Sequence, residues 1–195
     1  LDAVEVGHAD FRVEAAGPVL VTVSRGRAEV QELVLRGPNT ELTLSGSRAA
    51  TGELDLSAAG TVDLRLLAGL VPDLRRPHGL LTLEAHVSGT APEPVLLGAG
   101  RLDDAGFQLK ATNVLFSDLR GDLAFSQNRV LFENLSAAVN GGRAVLGGEV
   151  ELASFVPVRH RVDLRLDEVP VAVPIWLPAT LSGRVEAAGT PDATV

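Results

Sequence analysis

Four histidines are the side chains of this sequence best suited to acid–base or metal chemistry: His8, His78, His86 and His160. None has a second histidine at the spacing that metal ligands use, so surface or loop positions are the favoured interpretation. His8 and Asp10 share a predicted strand face, but a nucleophile that would complete a catalytic triad is not evident. The histidines therefore do not indicate a metal or catalytic centre.

The remaining chemistry-bearing patterns favour structural roles. Asp103 and Asp104 precede Gly106, and the turn chemistry of aspartate explains them better than paired-carboxylate catalysis does. The glycine pairs at 141–142 and 147–148 lack the strand-to-helix context of a phosphate loop. The sequence has no cysteine, and its net charge of −8 argues against nucleic acid as a partner. We therefore predict a protein that is not an enzyme and that uses no metal or other cofactor.

A repeat organises the chain. The pentapeptide V-D-L-R-L occurs at 62–66 and again at 162–166, and Gly-Thr occurs at 89–90 and at 189–190. The pentapeptide alternates leucine or valine with charged residues, which is typical of a strand with one dry and one solvated face. Self-similarity at a fixed period predicts units that stack and bury a shared surface.

This repeat predicts one continuous segment over residues 1–195, built from units of about a hundred residues. The first copy is expected at roughly 28–90, partly continuing to 128, and the second at roughly 130–190. Because the sequence begins without methionine and ends just after the second Gly-Thr, we expect a segment excised from a longer chain.

Short alternating stretches separated by turn residues predict the fold. Connections of two to five residues allow only antiparallel hairpins, since a parallel crossover needs a dozen or more. Apolar residues at helical spacing predict a short helix near 67–75, and prolines that can open a helical turn predict another near 170–178. The predicted class is therefore all-β, a long antiparallel meander with one or two short helices.

The apolar faces of these strands must be buried in a sandwich, a solenoid or a curled trough. Only 4% of the residues are aromatic, and many inward positions are alanine or glycine. A sandwich or solenoid fills its centre with side chains at crystal-like density. The scarcity of large side chains at inward positions therefore favours an open groove with an apolar concave face.

Several motifs, in order, resemble a known family. They are V-S-G-T-A-P-E-P at 87–94, G-x-G-x-L at 98–102, L-R-G-D-L at 119–123, F-E-N-L-S-A-A-V-N-G-G-R-A-V-L-G-G-E-V at 132–150, and G-T-V-D-L-R-L-L at 60–67. This pattern is similar to the repeating unit of the TamB (translocation and assembly module) family and its AsmA-like relatives.

The resemblance implies a long, taco-like β groove. The parent protein would be anchored in the inner membrane of a Gram-negative bacterium and cross the periplasm. Phospholipid acyl chains would pass along the groove toward the outer membrane. An outer-membrane barrel protein of the TamA type would be a partner, through parts of the parent chain not present here. Two alternatives stay open: a β-template or chaperone in outer-membrane protein assembly, and a structural β-solenoid scaffold.

The predicted lipid-binding residues are the alternating aliphatic and aromatic side chains of the expected strands. They are Leu42, Leu44, Leu54, Leu56, Val62, Leu64, Leu66, Leu81, Leu83, Leu109, Leu123, Phe125, Val130, Phe132, Leu146, Val150, Leu152, Val162, Leu164 and Leu166.

Overall fold

A computed structural model describes residues 5–8, 11–66, 68, 74–110, 114–154, 156–172 and 178–190. These residues form thirteen β-strands. The strands are β1 (Glu5–His8), β2 (Phe11–Ala15), β3 (Val21–Ser24), β4 (Arg27–Gly37), β5 (Thr40–Arg48), β6 (Glu53–Asp63), β7 (Leu74–Thr90), β8 (Pro94–Leu109), β9 (Leu115–Gln127), β10 (Arg129–Val139), β11 (Gly142–Ala153), β12 (Val156–Ala172) and β13 (Pro178–Gly189).

All the described strands belong to one antiparallel sheet. From β4 to β13 each strand pairs with the next one along the chain, while β2 and β3 both pair with β4, and β1 pairs with β2. The sheet is open: among the described strands, β13 pairs with β12 alone. The prediction of an all-β antiparallel meander that does not close is confirmed, and it follows from connections too short for any crossover.

The predicted short helices are not confirmed. The chain leaves β6 through a 3-10 turn at Leu64–Leu66, and β7 already begins at Leu74, where that residue pairs with Leu109 of β8. Residues 67 and 69–73 lie outside the described residues, as do 173–177 of the second predicted helix. At both sites cross-strand pairing extends the flanking strands into the predicted range, since 170–172 belong to β12 and Pro178 opens β13.

Strands β4 to β7 and strands β10 to β13 are paired in the same way. On the first pair of each set, Leu33 faces Leu44 and Leu135 faces Leu146, an offset of 102 residues in both strands. A register shift precedes Leu33 and Leu135 alike. The sheet therefore contains two four-strand units with the same pairing scheme, and β8 and β9 lie between them.

The two identical pentapeptides do not occupy equivalent positions in these units. Residues 62–63 end β6 and 64–66 form the 3-10 turn, whereas 162–166 lie inside β12. Gly148 pairs with Val162, while its counterpart Gly46 pairs with Leu56 rather than with Val62. Val162 is thus equivalent to Leu56, which lies six residues before Val62. The expectation that both copies of the pentapeptide form a strand is wrong for residues 64–66.

The first pentapeptide leaves the sheet where its aspartate is bound by Arg65 and by the distant residues Asn39 and Thr40. Asp63 is only 3% exposed. Its carboxylate accepts hydrogen bonds from Asn39 Nδ2 at 3.1 Å, and from Arg65 N at 2.9 Å, Nε at 3.0 Å and Nη2 at 2.7 Å. In β12 the corresponding carboxylate of Asp163 instead pairs across the sheet with Arg184 of β13. One five-residue sequence therefore takes two conformations, according to which partners surround it.

The charge of Asp63 is favoured in the folded chain. Burial of the carboxylate raises its pKa, but the hydrogen bonds from Arg65 and Asn39 outweigh that effect. The net result is a pKa below the ordinary value of an aspartate.

Bulges interrupt several strands of the sheet, among them β8, β10 and β12. Asp104, Asn134 and Glu168 have φ angles of 50°, 53° and 52°, and each lies at a shift in register with a neighbouring strand. Bulges of this kind bend a strand and increase its twist. The residues that follow them, Ala105, Leu135 and Val169, are 1%, 4% and 2% exposed and belong to the buried cluster of the sheet.

This buried cluster lies at one end of the strands, between β6 and β12, and we call it the core end. Its members are Leu64, Ala105, Phe116, Leu119, Leu135, Ala137, Val139, Ala144 and Val169. Phe107 packs against this cluster, and its ring stacks on that of Phe116 with the centroids 5.0 Å apart. A small dry core therefore holds one end of the sheet, which is where the bulges turn the strands.

At the opposite end, two turns that are distant in the sheet touch. Ser154 Oγ, in the turn between β11 and β12, donates a hydrogen bond to the carbonyl oxygen of Pro92, in the turn between β7 and β8, at 3.2 Å. Four strand spacings separate these turns, which is about 19 Å in a flat sheet. The sheet is therefore strongly bent between β7 and β12.

Candidate functional site

One face of the sheet is apolar from β2 to β13. The register aligns a single row of residues across these strands, and every member is aliphatic, phenylalanine or glycine. The row runs Ala15, Leu35, Leu42, Gly60, Leu83, Gly100, Leu123, Phe132, Gly148, Val162 and Ala187. We call the side of the sheet that carries this row the apolar face.

Glycines in this row bring neighbouring strands into close contact. At Gly148, which has φ of 151°, an added Cβ would lie 2.1 Å from the carbonyl oxygen of Arg161 on β12. The neighbouring Gly147 has its nearest such contact at 3.8 Å. A side chain is therefore excluded at Gly148 by both conformation and space, and bulk on the apolar face comes from the flanking strands.

The structure places the predicted lipid-binding residues on or beside this face. Those within strands occupy the apolar face by alternation from the row, and Leu64 and Leu66 lie in the 3-10 turn. All of them are half-buried except Leu64, which is buried, and Leu56, which is 37% exposed. Half-burial shared by so many aliphatic side chains differs from a filled core, where such residues are nearly all inaccessible.

The face is divided into two regions. Besides Leu64, seven predicted residues pack against the buried cluster at the core end, and they share a structural role there. They are Leu81, Leu109, Leu123, Phe132, Leu146, Leu164 and Leu166. The other predicted residues lie outside this packing, and they are the better candidates for binding something other than protein.

An apolar hollow of about 330 Å³ opens over β4 to β7, within this second region. Leu44 and Leu56 line it, as do Val30, Leu33 and Val87, which the sequence reasoning left out. The signal was present for Val30 and Val87, which have polar neighbours on both sides in their strands, but not for Leu33, which is followed by Val34. The volume lies at the lower end of the range for small-ligand pockets.

The opposite face is charged and held by ion pairs across the strands. Arg101 binds Asp122 at 2.7 Å, and Arg120 lies 3.5 Å from both Asp103 and Asp104. The hydrogen bond from Arg101 holds the pKa of Asp122 below its usual value. Asp103 and Asp104 thus share an arginine, and the predicted turn is wrong: both residues lie inside β8, at a register shift with β9.

A serine, a histidine and an aspartate also line up on this charged face. Ser57 Oγ lies 3.3 Å from His86 Nδ1, and His86 Nε2 lies 3.7 Å from Asp55 Oδ1. The sequence reasoning missed this row, because its members come together only through the pairing of β6 with β7. All three side chains are solvated, and mid-strand N–H groups beside Ser57 belong to the sheet ladder rather than to an oxyanion hole. We assign the row a structural role.

In the described ranges, no group of three or more histidine, cysteine or acidic side chains is arranged to hold a metal ion. Those same ranges contain no helix long and apolar enough to cross a membrane.

Fold and site together define a class of protein: a single-layer, open antiparallel β-sheet with one apolar and one charged face. The chain matches no family model, no curated protein and no solved structure.

Proposed function

We propose that this chain is a segment of a lipid-transfer bridge, whose apolar face shields phospholipid acyl chains from water. On this proposal the apolar face is the concave side of the bent sheet. The sheet runs on as a trough along which hydrocarbon moves between two membranes.

The observation that carries the proposal is the half-buried state of the apolar face. Domains ordinarily bury such a face against a second layer of secondary structure. Here every described strand belongs to one sheet, so these strands provide no second layer. A contiguous apolar face that is left without a covering layer marks a binding surface in soluble proteins.

The bend of the sheet supports a trough rather than a flat surface. The contact between Ser154 and Pro92 draws the two turns together. At the other end, the buried cluster joins Leu64, which follows β6, to Val169 of β12, and both belong to the same apolar side. Contacts at both ends would make the apolar face the inside of the bend.

The energy of moving a lipid through water makes such a surface useful. Exposing hydrocarbon costs about 0.8 kcal/mol per methylene, or on the order of 10 kcal/mol for one acyl chain. Twelve strands follow one another along the path of the sheet. At about 4.8 Å per strand they would give roughly 50 Å of continuous apolar surface.

Lipid capture at single positions tests the proposal directly. A photo-crosslinking amino acid replaces Leu56, which lines the apolar hollow, or Ala59, which is exposed on the charged face of the same strand. Crosslinked phospholipid is then sought by mass spectrometry after expression in a Gram-negative host. We expect lipid adducts at Leu56 and none above background at Ala59.

A charge at the same two positions gives the matched loss-of-function test. Leu56→Arg should reduce co-purifying phospholipid several-fold, because a guanidinium in the trough must be desolvated before hydrocarbon can occupy it. Ala59→Arg should leave the lipid content unchanged. Equal lipid content in both variants, together with equal crosslinking at both positions, would refute the trough and leave a structural scaffold.

The resemblance of the sequence motifs to the TamB and AsmA-like repeats supports the same proposal. It adds the expectation of a periplasmic location, an inner-membrane anchor on the parent protein and a TamA-type barrel as partner. The edge of β13, which pairs with β12 alone among the described strands, favours a second candidate, a β-template that holds nascent outer-membrane strands by augmentation. An unfolded barrel protein that binds the chain and leaves its lipid content unchanged would support this second function.

A further inference from the structure

One arginine lies on the apolar face. The pairing of β5 sets Arg48 opposite Ala28 of β4 and Leu54 of β6. Arg48 shares its side of the sheet with Gly46 and Leu44, which alternate with it along β5. Among the described residues that pair in the sheet, no other arginine or lysine and no aspartate or glutamate falls on this side. The apolar face is therefore interrupted by a single fixed charge within these paired residues.

Arg48 differs from the arginines of the charged face in its surroundings. Arg101, Arg129 and Arg184 each bind a carboxylate of a neighbouring strand. Arg48 is exposed, and it makes no ion pair or hydrogen bond with any residue that the structure describes. A guanidinium presents a rigid fork of N–H donors that fits carboxylate and phosphate oxygens. The Arg48 fork is therefore available to an anion from outside the chain.

Arg48 stands at the outer end of the apolar hollow. Gly46 lines the hollow, and Arg48 follows it by two residues, which is about 7 Å along β5. A Cβ added at Gly52 would have Arg48 Nη2 as its nearest atom, at 4.0 Å, so the guanidinium lies toward the turn between β5 and β6. An aliphatic hollow with a cation at its outer end is complementary to a molecule with a hydrocarbon chain and an anionic end.

The second four-strand unit also carries a basic side chain at this height. The equivalence of β5 with β11, at an offset of 102 residues, makes Val150 the counterpart of Arg48. Leu54 faces Arg48, and His160 faces Val150. Each unit thus has one aliphatic and one basic residue in this cross-strand pair, although a different strand supplies the basic residue. The apolar face therefore has a basic position near the same end of both units.

We propose that Arg48 binds the phosphate group of a phospholipid whose acyl chain lies in the apolar hollow. This inference rests on the proposed lipid-transfer function and adds the position at which a headgroup is held. A phosphodiester keeps its negative charge at neutral pH and has two unesterified oxygens, which match the fork of the guanidinium. The headgroup would face water at the end of the strands opposite the core end, and only the hydrocarbon would be shielded.

Two probes with the same acyl chain separate the headgroup from the hydrocarbon. They are lauroyl lysophosphatidylglycerol, which carries the phosphate, and monolauroylglycerol, which lacks it. Each is titrated by isothermal calorimetry, below its micelle concentration, into the full chain after co-purified lipid has been removed. Arg48→Gln should weaken binding of the phosphate probe about ten-fold, because a charge-assisted hydrogen bond is lost, and change binding of monolauroylglycerol less than about two-fold.

Two further variants control for charge and for geometry. Arg161→Gln removes the same charge from an exposed position on the charged face, and it should change the affinity for the phosphate probe less than about two-fold. Arg48→Lys keeps the charge and loses the fork, so its affinity should lie between those of wild type and Arg48→Gln. Added sodium chloride should weaken phosphate-probe binding to wild type more than to Arg48→Gln.

The position of the chain is tested with a lysophosphatidylglycerol that carries a diazirine at the end of its acyl chain. Peptide mapping after irradiation should find the label on the strands that line the hollow, β4 to β7. In Arg48→Gln the share of the label on these strands should fall at least about two-fold, because the headgroup no longer holds the chain in place.

The outcomes distinguish this inference from the lipid-transfer proposal. Unchanged affinity of Arg48→Gln for the phosphate probe would overturn the headgroup site and leave the trough intact, since the trough requires only that hydrocarbon binds. Equal weakening of both probes would also overturn the site, because the substitution would then act on the hollow. Tighter, Arg48-dependent binding of laurate than of the phosphate probe would assign the site to a fatty acid instead. Failure of wild type to bind either probe would contradict both proposals.

Discussion

The two identical pentapeptides allow one side chain to be compared in two environments within the same molecule. Replacing Asp63 by alanine removes a carboxylate that is 3% exposed and accepts four hydrogen bonds, three of them from Arg65. Replacing Asp163 removes a carboxylate that is 27% exposed and pairs with Arg184. The flanking residues have the same sequence in both cases, so local propensity contributes similarly.

The expected cost at Asp63 is well below the sum of its hydrogen bonds. The Arg65 side chain is 47% exposed and can return to water, so its lost bonds are largely replaced. What remains is the hydrogen bond that caps the 3-10 turn, worth about 1 kcal/mol, and the part-buried, charge-assisted bond from Asn39, worth about 1.5–2 kcal/mol. We expect Asp63→Ala to lower the free energy of unfolding by about 2–3 kcal/mol, and Asp163→Ala by less than half of that.

Urea unfolding followed by far-ultraviolet circular dichroism measures both variants at neutral pH. In thermal unfolding, Asp63→Ala should lower the Tm of a chain of this length by roughly 5–10 °C. The pKa of Asp63 is depressed in the folded state, so its contribution is present above the unfolded pKa of about 3.9 and is lost as the pH falls through the folded pKa. The difference between wild type and Asp63→Ala should therefore shrink below about pH 4. Equal effects of the two substitutions at neutral pH would refute the assignment of distinct environments.

Two further predictions use matched pairs of positions. Gly148→Ala should destabilise the chain by about 1–3 kcal/mol, because its φ of 151° and the 2.1 Å approach to Arg161 admit no side chain, whereas Gly147→Ala should be near neutral; chemical denaturation measures both, and equal costs would contradict the close strand contact. Leu135→Ala, at a residue 4% exposed, should cost about 2–4 kcal/mol, and Leu33→Ala at the equivalent half-buried position less than half as much. Similar losses at Leu135 and Leu33 would mean that the core is not confined to one end of the sheet.

The sequence alone was sufficient for the class of fold and for the pattern of faces. Alternation of aliphatic and polar residues has the period of a strand, and turn residues such as Asn140 and Gly141 close hairpins too short for any other connection. These are local properties, which act within a few residues along the chain. The open antiparallel meander and the set of residues on the apolar face follow from them.

The depth to which each apolar residue is buried was decided by the tertiary structure. Leu33 and Leu135 are equivalent in pairing and both follow a register shift, yet only Leu135 belongs to the buried cluster, because it lies at the core end. The pentapeptide at 62–66 likewise leaves the sheet because Asn39 and Thr40, more than twenty residues away, bind Asp63. Such effects depend on which strands the bend brings together, and the immediate sequence neighbours of a residue do not determine that.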